Sequence, residues 1–531
     1  MAANRHDAII IGGGHNGLVC GAYLAKAGLK PLVLERRPIV GGAAVTEEFA
    51  PGFRASIFSY VMSILHPRII ADLELKQFGL EVLPANDLFC PLHGEDWLVF
   101  ADDPKKTQAN FARFSPKDAA TYPAFDAYLQ DSLKIVRKLL FQTPVDPTQA
   151  DWRHFKETAK LVWEYRKIGT RFYRILDLMT QSADAYLSQW FESDVVKAVF
   201  AYYASIGTFA GPKTPGSAYV LLHHLMGEHQ GAGGWGFIKG GMGTITQAIA
   251  QSGARFGLEV RTDSPITQVL VEEGRAVGVV TEKGEDHRAP IVISNLDAKT
   301  LMTRLVEPRH LPEDYLRDLR GYRTFSTAFK INVACHRPPQ YRSFDSAKTG
   351  FDYPTYVHVA PDIDWLERAY DDAKYGWYSQ KPFVTPVVPT IRDDTLAPPG
   401  KHVVNLFGGH APYALKGASW EQERDNLVKN VLDVMETFAP GWRDEIIDMQ
   451  VLLAPDLERI VGLPQGHIFH GELAPDQLFF TRPTAHFADY RTPVRGLYVC
   501  GSSMHPGGGV SGIPGHNAAR EVLKDRGRRL N

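Results

Sequence analysis

Cysteine is scarce in this chain of 531 residues, and the four present, Cys20, Cys90, Cys335 and Cys500, stand far apart. None forms the closely spaced pair that a thiol–disulfide electron relay needs, so that chemistry is excluded. Cys20 falls on an expected helix and Cys500 at the end of an apolar strand, positions where cysteine serves as a small core residue. Charge bias is missing too. With 58 basic and 60 acidic residues and no long run of either sign, nothing points to nucleic acid, and small molecules are the expected partners. Runs of about eighteen apolar residues, the length of a membrane span, are absent, and the first apolar strand starts too early to leave room for a leader. The expectation is a soluble, cytoplasmic protein that at most touches a membrane surface. Internal repeats and low-complexity segments are lacking as well. The length exceeds what one core usually supports, so two intimately packed domains are expected.

What is present begins at once. His6 to Ile11 is a short β-rich apolar run, Gly12-Gly13-Gly14-His15-Asn16-Gly17 is a G-x-G-x-x-G turn entering a helix, and Pro31-Leu32-Val33-Leu34-Glu35 is a second apolar run ending in an acid. A strand, a glycine turn, a helix, a second strand and an acid about twenty residues beyond the glycines make the dinucleotide-binding βαβ unit. Gly12 allows the tight turn, Gly14 lets backbone amides reach a pyrophosphate at the helix N-terminus, and Gly17 lets helix and strand pack closely. His15 and Asn16 sit inside the turn, and Glu35 is placed to accept hydrogen bonds from a ribose. Far downstream, Gly496 to Ser503 followed by Gly507 to Gly515 is another strand, glycine turn and helix start. One nucleotide end needs only the first site, whereas a longer cofactor with a ribityl segment needs both. The paired glycines Gly41 and Gly42, just after the ribose-binding strand, resemble the loop along the diphosphate in glutathione-reductase-like and amine-oxidase-like flavoproteins. The cofactor expected is FAD.

The remaining pattern is interleaved. Residues from about 103 to 228 read as helical, with aromatic-rich stretches such as Phe125 to Leu129 and Phe191 to Tyr203. Such stripes could line an apolar tunnel but are more often ordinary core. Leu258 to Arg261 begins a β-rich portion. Within it Pro265–Val271 and Ala276–Val280, joined by Glu272-Glu273-Gly274-Arg275, read as a hairpin. Strands are expected near 325–334 and 402–408, and a helix from Ser419 to Phe438 with Ser as its N-cap. The division expected is an FAD-binding domain from 1–65, 235–300 and 490–531, and a substrate domain from 66–234 and 301–489.

The glycine turn, Leu34-Glu35-Arg36-Arg37, Gly41-Gly42-Ala43-Ala44-Val45-Thr46, Lys239-Gly240-Gly241-Met242-Gly243 and His505-Pro506-Gly507-Gly508-Gly509 together resemble the carotenoid/retinoid oxidoreductase family, which includes the phytoene desaturases. The resemblance runs over essentially the whole chain. It implies an α/β architecture, a Rossmann-like FAD-binding domain of the glutathione-reductase/amine-oxidase type with an interleaved mixed-sheet substrate domain and a helical insertion. It also implies cofactor contacts at Gly12, Gly14, Gly17, Glu35, Arg36, Gly42 and Ala43, at Ile266 against the adenine, and at Gly501, Gly512 and Ile513 at the flavin end. Many amine-oxidase-type relatives carry an acid after the late glycine where this chain has Ser502, whose hydroxyl bonds a ribityl chain more weakly than a carboxylate would. A second nicotinamide motif is missing, since Gly241-Met242-Gly243 lacks a third glycine at the right spacing.

The activity expected is hydride or electron removal from a substrate carbon to FAD, on an apolar, polyene or lipid-like molecule, with oxygen or a quinone as a diffusible acceptor. Two alternatives stay open: an amine-oxidase-like enzyme on a polar substrate, which paired aromatics beside the flavin would favour, and a flavin-binding regulatory protein with little turnover. His505 is the one candidate for proton transfer, against the plainer reading of a loop histidine that positions the Pro-Gly turn. His223 and His224, adjacent on a helix, point about 100° apart and cannot share a metal, so pocket lining is expected. His467 and His470 have metal-like spacing without a third ligand, and no metal is expected.

Overall fold

The computed structural model describes residues 6–85, 87–146, 148–149, 152–227 and 235–530. The sequence-based limits at 1–5, 228–234 and 531 lie outside them.

Five parallel strands form the nucleotide sheet, in the spatial order Leu497–Val499, Val292–Ser294, Ala8–Ile11, Pro31–Leu34, Glu259–Arg261. All but the last are buried on both faces, which is why Ala8-Ile9-Ile10-Ile11 and Pro31-Leu32-Val33-Leu34 read as unbroken apolar runs rather than alternating ones. Helix His15–Lys26 packs on this sheet between helices Gly243–Arg255 and Ile513–Asp525. The first turn reaches it through Gly12 at φ +94°, a left-handed conformation that a side chain would strain. At Gly17 a Cβ would stand 2.3 Å from the Gly12 carbonyl oxygen, so only glycine lets the helix lie this close.

The second sheet is antiparallel, in the order Phe383–Val387, His402–Gly409, Ala328–Cys335, Ile446–Leu452, and helix Trp420–Phe438 covers it. Ser419 opens that helix in a capping box, with Gln422 Oε1 accepting from the Ser419 amide at 3.2 Å. The hairpin Ile266–Glu272 with Arg275–Thr281 forms with the turn where expected and continues to Asp286–Arg288. Between Pro104 and His224 lie seven helices. Their aromatic stretches make core rather than tunnel: Phe125 packs on Phe191 at 4.9 Å and Phe191 stacks on Phe200 at 5.6 Å, all buried. Among the described residues no helix is long and apolar enough to cross a membrane.

Candidate functional site

A cavity of about 1490 Å³ opens at the carboxyl ends of the nucleotide strands, where ligands bind in open α/β sheets. The turn Gly12–Gly14 and the loop Gly41–Ala43 form one side of it. They are zipped together by the Gly41 amide, which donates to the Gly13 carbonyl at 2.9 Å, and a Cβ on Gly42 would come within 3.4 Å of the Gly14 Cα. A Cβ on Gly14 would meet Asn295 Nδ2 at 2.6 Å. Glu35 ends the second strand with its carboxylate held from two directions: Oε2 accepts from the Gly13 amide at 2.6 Å and Oε1 from the Arg37 amide at 2.9 Å. Arg36 donates to the Ile460 carbonyl at 2.8 Å, which carries the far wall, Glu458 to Leu463, over the nucleotide loops. Ile266 lines the same end, at the start of the hairpin.

The other end of the cavity holds buried polar atoms without a partner. Asn16 Nδ2 donates to Ser502 Oγ at 3.1 Å, joining the first turn to the late loop across 486 residues, while Asn16 Oδ1 has no hydrogen bond. Asp297 Oδ2 and His470 Nδ1 are likewise unpartnered. Burial raises the Asp297 carboxyl above the usual carboxylate range. His470 is held near 3 by burial, reinforced by His15 and Arg482. His15 is lowered to about 4 by burial, opposed by the bond from its Nε2 to the Gly509 carbonyl at 3.1 Å. Buried polar groups left unpaired in a cleft are costly unless a ligand completes them. A ligand carrying diphosphate, ribityl hydroxyls and a flavin ring edge fits that set, and the glycine cradle leaves the space for it.

Of the residues singled out in the sequence, Gly12, Gly14, His15, Asn16, Glu35, Arg36, Gly42, Ala43, Ile266 and Ser502 line this cavity. Gly17, Gly41, Gly501 and Gly512 do not. They shape it: at Gly501 a Cβ would lie 2.5 Å from the Asn295 carbonyl oxygen, and Gly512, at φ +73°, caps the final helix against Ile69. Ile513 faces a separate small cavity. At His505 the geometry favours the plainer of the two sequence readings, a loop histidine that positions its turn. It lines neither that small cavity nor either large one, its Nε2 bonds the Leu139 carbonyl at 2.9 Å, and burial lowers it to about 4, so the imidazole is a fixed tie to the long helix Pro116–Leu140.

A second cavity, about 1150 Å³, meets the first at His15, Ala43, Leu463, His470 and Ser502. Its wall is apolar, built from Phe58, Tyr60, Ile206, Phe329, Phe407 and Phe469 among others, and among the described residues no carboxylate lines it. The Tyr60 and Phe407 rings lie 5.5 Å apart and 31° from parallel. His223 and His224 line this wall, as expected, both lowered by burial. One charged residue type stands in it: Lys330, whose Nζ donates to the Ser56 carbonyl and lies 5.2 Å from the Tyr60 ring centre. Burial pushes that amine well below its ordinary range. Sequence reasoning missed Lys330 although a signal existed, a lysine inside the otherwise apolar or uncharged strand Ala328–Cys335, every residue of which is buried.

Two further sequence readings meet the geometry. Cys20 and Cys500 are both free and buried, near enough that the Cys20 thiol adds to the upward push of burial on Cys500, and neither lines a cavity. The Gly241–Gly243 turn is already filled, because Thr46 Oγ1 accepts from the Gly243 amide and Ser56 Oγ from the Met242 amide, both at 2.9 Å.

Comparison with known proteins agrees with this layout. The mouse protein called pyridine nucleotide-disulfide oxidoreductase domain-containing protein 2 is 40% identical over 98% of this chain and 94% of its own length. A phytoene desaturase (lycopene-forming) of Pseudescherichia vulneris is 22% identical over 95% of this chain and 96% of its own. The crystal structure of an oxidoreductase from Methanosarcina mazei superposes with a TM-score of 0.62 at 17% identity, covering 97% of this chain and 99% of that one, a likeness of fold. The family described as flavin containing amine oxidoreductase matches residues 17–523, nearly the whole chain, so this protein belongs to that family and is an FAD-dependent oxidoreductase.

Proposed function

We propose that the protein dehydrogenates an apolar, isoprenoid-like or lipid-like molecule at a carbon–carbon bond. The observation that carries this reading is the apolar cavity joined to the cofactor groove at His15, Ala43 and Ser502. Its four histidines, His15, His223, His224 and His470, are all kept neutral by burial, and burial disfavours the charged form of Lys330 too, so the wall is poor in formal charge. An apolar guest enters such a cavity by leaving water, at about 25 cal/mol per Å² of apolar surface covered. The name of the phytoene desaturase relative points to the same substrate class. FAD, when bound, supplies the two-electron acceptor for the hydrogen leaving as hydride. The chain's own part is to exclude water with the aromatic wall, to hold the substrate against the Ser502 and His15 end, and to take the accompanying proton on Lys330 Nζ, which burial pushes toward its neutral form.

The Tyr60 and Phe407 pair favours a second reading, an amine substrate clasped between two rings. Against it stands the lack of a lining carboxylate among the described residues, which offers a protonated amine no counter-ion there. Anaerobic mixing of the holoprotein with long-chain isoprenoids and with primary amines decides between them. Bleaching of the flavin absorbance by the isoprenoids is expected, and bleaching by amines alone would overturn the proposal.

The acceptor proposed is oxygen or a quinone. The filled Gly241–Gly243 turn and the distance of the Cys20 and Cys500 pair from both cavities support this. In stopped-flow mixing the reduced protein should be reoxidised by oxygen or a soluble quinone. Reoxidation by NAD or NADP alone would refute it.

A further inference from the structure

Eleven large apolar side chains are exposed among the described residues, and seven of them fall between 152 and 176, so this exposure is a patch rather than scatter. The segment is two consecutive helices, Trp152–Tyr165 and Arg171–Thr180. On the first, Trp152, Phe155, Val162 and Trp163 are more than half exposed and lie within an arc of about 100° at helical spacing, with Leu161 and Tyr165 on the opposite, partly covered side. Trp152 and Phe155 stack at 5.5 Å. On the second, Phe172, Tyr173 and Leu176 face outward while Leu178 is buried.

Charge tells what covers this patch. Residues 152–180 carry seven lysines and arginines against three acids, in a chain whose overall charge is −2, although Arg171 and Arg174 are paired with Asp131 at 3.2 and 3.3 Å. The two acids of the first helix are engaged with the body of the protein: Glu157 pairs with Lys524, and Glu164 accepts from Gln142 at 2.9 Å. Lys156, Lys160 and Lys167 stay exposed, with Lys156 Nζ 5.1 Å from the Trp152 ring and the Arg166 guanidinium 3.9 Å from that of Trp163. Aromatic rings at the centre and basic groups beside them match the headgroup layer of a bilayer, where rings sit at the boundary and Lys or Arg meets phosphate. A second copy of the same positive face would be repelled.

We propose that residues 152–176 dock the protein on an anionic phospholipid surface, with the two helices lying in the plane of the headgroups. The proposal rests on this surface and not on the substrate reading. It gives an apolar guest a short path as well. A small cavity bordered by Arg137 and Leu140, at the end of the helix that leads into the segment, shares Ile64 and His223 with the apolar cavity.

The test uses the purified holoprotein with phosphatidylcholine vesicles, with and without phosphatidylglycerol, read by co-sedimentation and tryptophan emission. Binding is expected to the mixed vesicles, with a blue shift from Trp152 and Trp163. The variant Lys156→Gln/Lys160→Gln/Lys167→Gln should bind them roughly 100-fold more weakly. The variant Trp152→Ser/Trp163→Ser/Phe172→Ser should not bind, while both keep the wild-type flavin absorbance because every changed side chain is exposed. No binding by the wild type, equal binding by the serine variant, or a dimer in light scattering that the serine variant dissociates would each overturn the proposal.

Discussion

Lys330 is both a liability and a tool. An amine buried in an apolar wall is pushed toward its neutral form, well below the ordinary value of about 10.4 that its unfolded counterpart keeps. Above that pH both states are neutral and nothing is lost. As pH falls below it the unfolded chain takes up a proton that the native site takes up only at lower pH, so stability declines toward neutrality. Lys330→Met keeps the volume and removes the penalty. It should therefore raise Tm at pH 7, with the gain shrinking as pH approaches 10, while slowing anaerobic flavin reduction on the order of 100-fold. A Tm gain that did not vary with pH would refute the burial argument. His505 gives the contrary case. Its side chain ties the late loop to Leu139, so His505→Ala should lower stability by about 2–4 kcal/mol through a lost buried bond and a cavity. The reduction rate of the FAD-loaded fraction should hardly change. At this scale the sequence was informative where a residue type has one geometric use, as with Gly12 at positive φ. It was silent on Asp297 and weighed His470 only as half of a metal-like pair with His467; both become site residues only because distant loops aim them at one space.

Among the elements, those with their own periodic signal were legible. The hairpin at 266–281, the strands at 328–335 and 402–409 and the helix after Ser419 all stand where patterning put them. Pairing was not legible. That Ala328–Cys335 lies between His402–Gly409 and Ile446–Leu452 depends on partners more than sixty residues away, to which local propensity is blind. The aromatic helices of the middle region looked the same as core or as tunnel, since a stripe reports burial and not against what. The first βαβ turn yields its own prediction. With Asn295 Nδ2 2.6 Å from the position of a Cβ on Gly14, Gly14→Val has no room except inside the groove. It should purify as colourless protein with near-wild-type secondary structure, and a full complement of FAD would show that the cradle is misassigned.

For the whole molecule, the buried histidines set the response to acid. His15, His224 and His505 are lowered to about 4 and His467 and His470 to about 3, each chiefly by burial. The unfolded chain protonates them near 6.5, so native stability is complete above that value and falls as pH drops from about 6.5 toward 4, by ~1.4 kcal/mol per pH unit for each. Tm should therefore fall steeply between pH 6.5 and 4.5. A flat profile over that range would contradict the burial of these rings.

The nucleotide sheet sets Ala8–Ile11 two strands away from Leu497–Val499, with Val292–Ser294 between them. At roughly 5–20 residues per second of synthesis, the first strand waits tens of seconds on the ribosome for its sheet to be finished. During that time Ile9 and Ile10 have no lasting shelter, which makes the nascent chain a client for chaperones. FAD, whose cradle reaches Ser502, can be captured only by a polypeptide synthesised at least as far as that residue. Cofactor loading thus reports that synthesis has passed Ser502, and a product terminated before it would stay apo and be open to proteolysis.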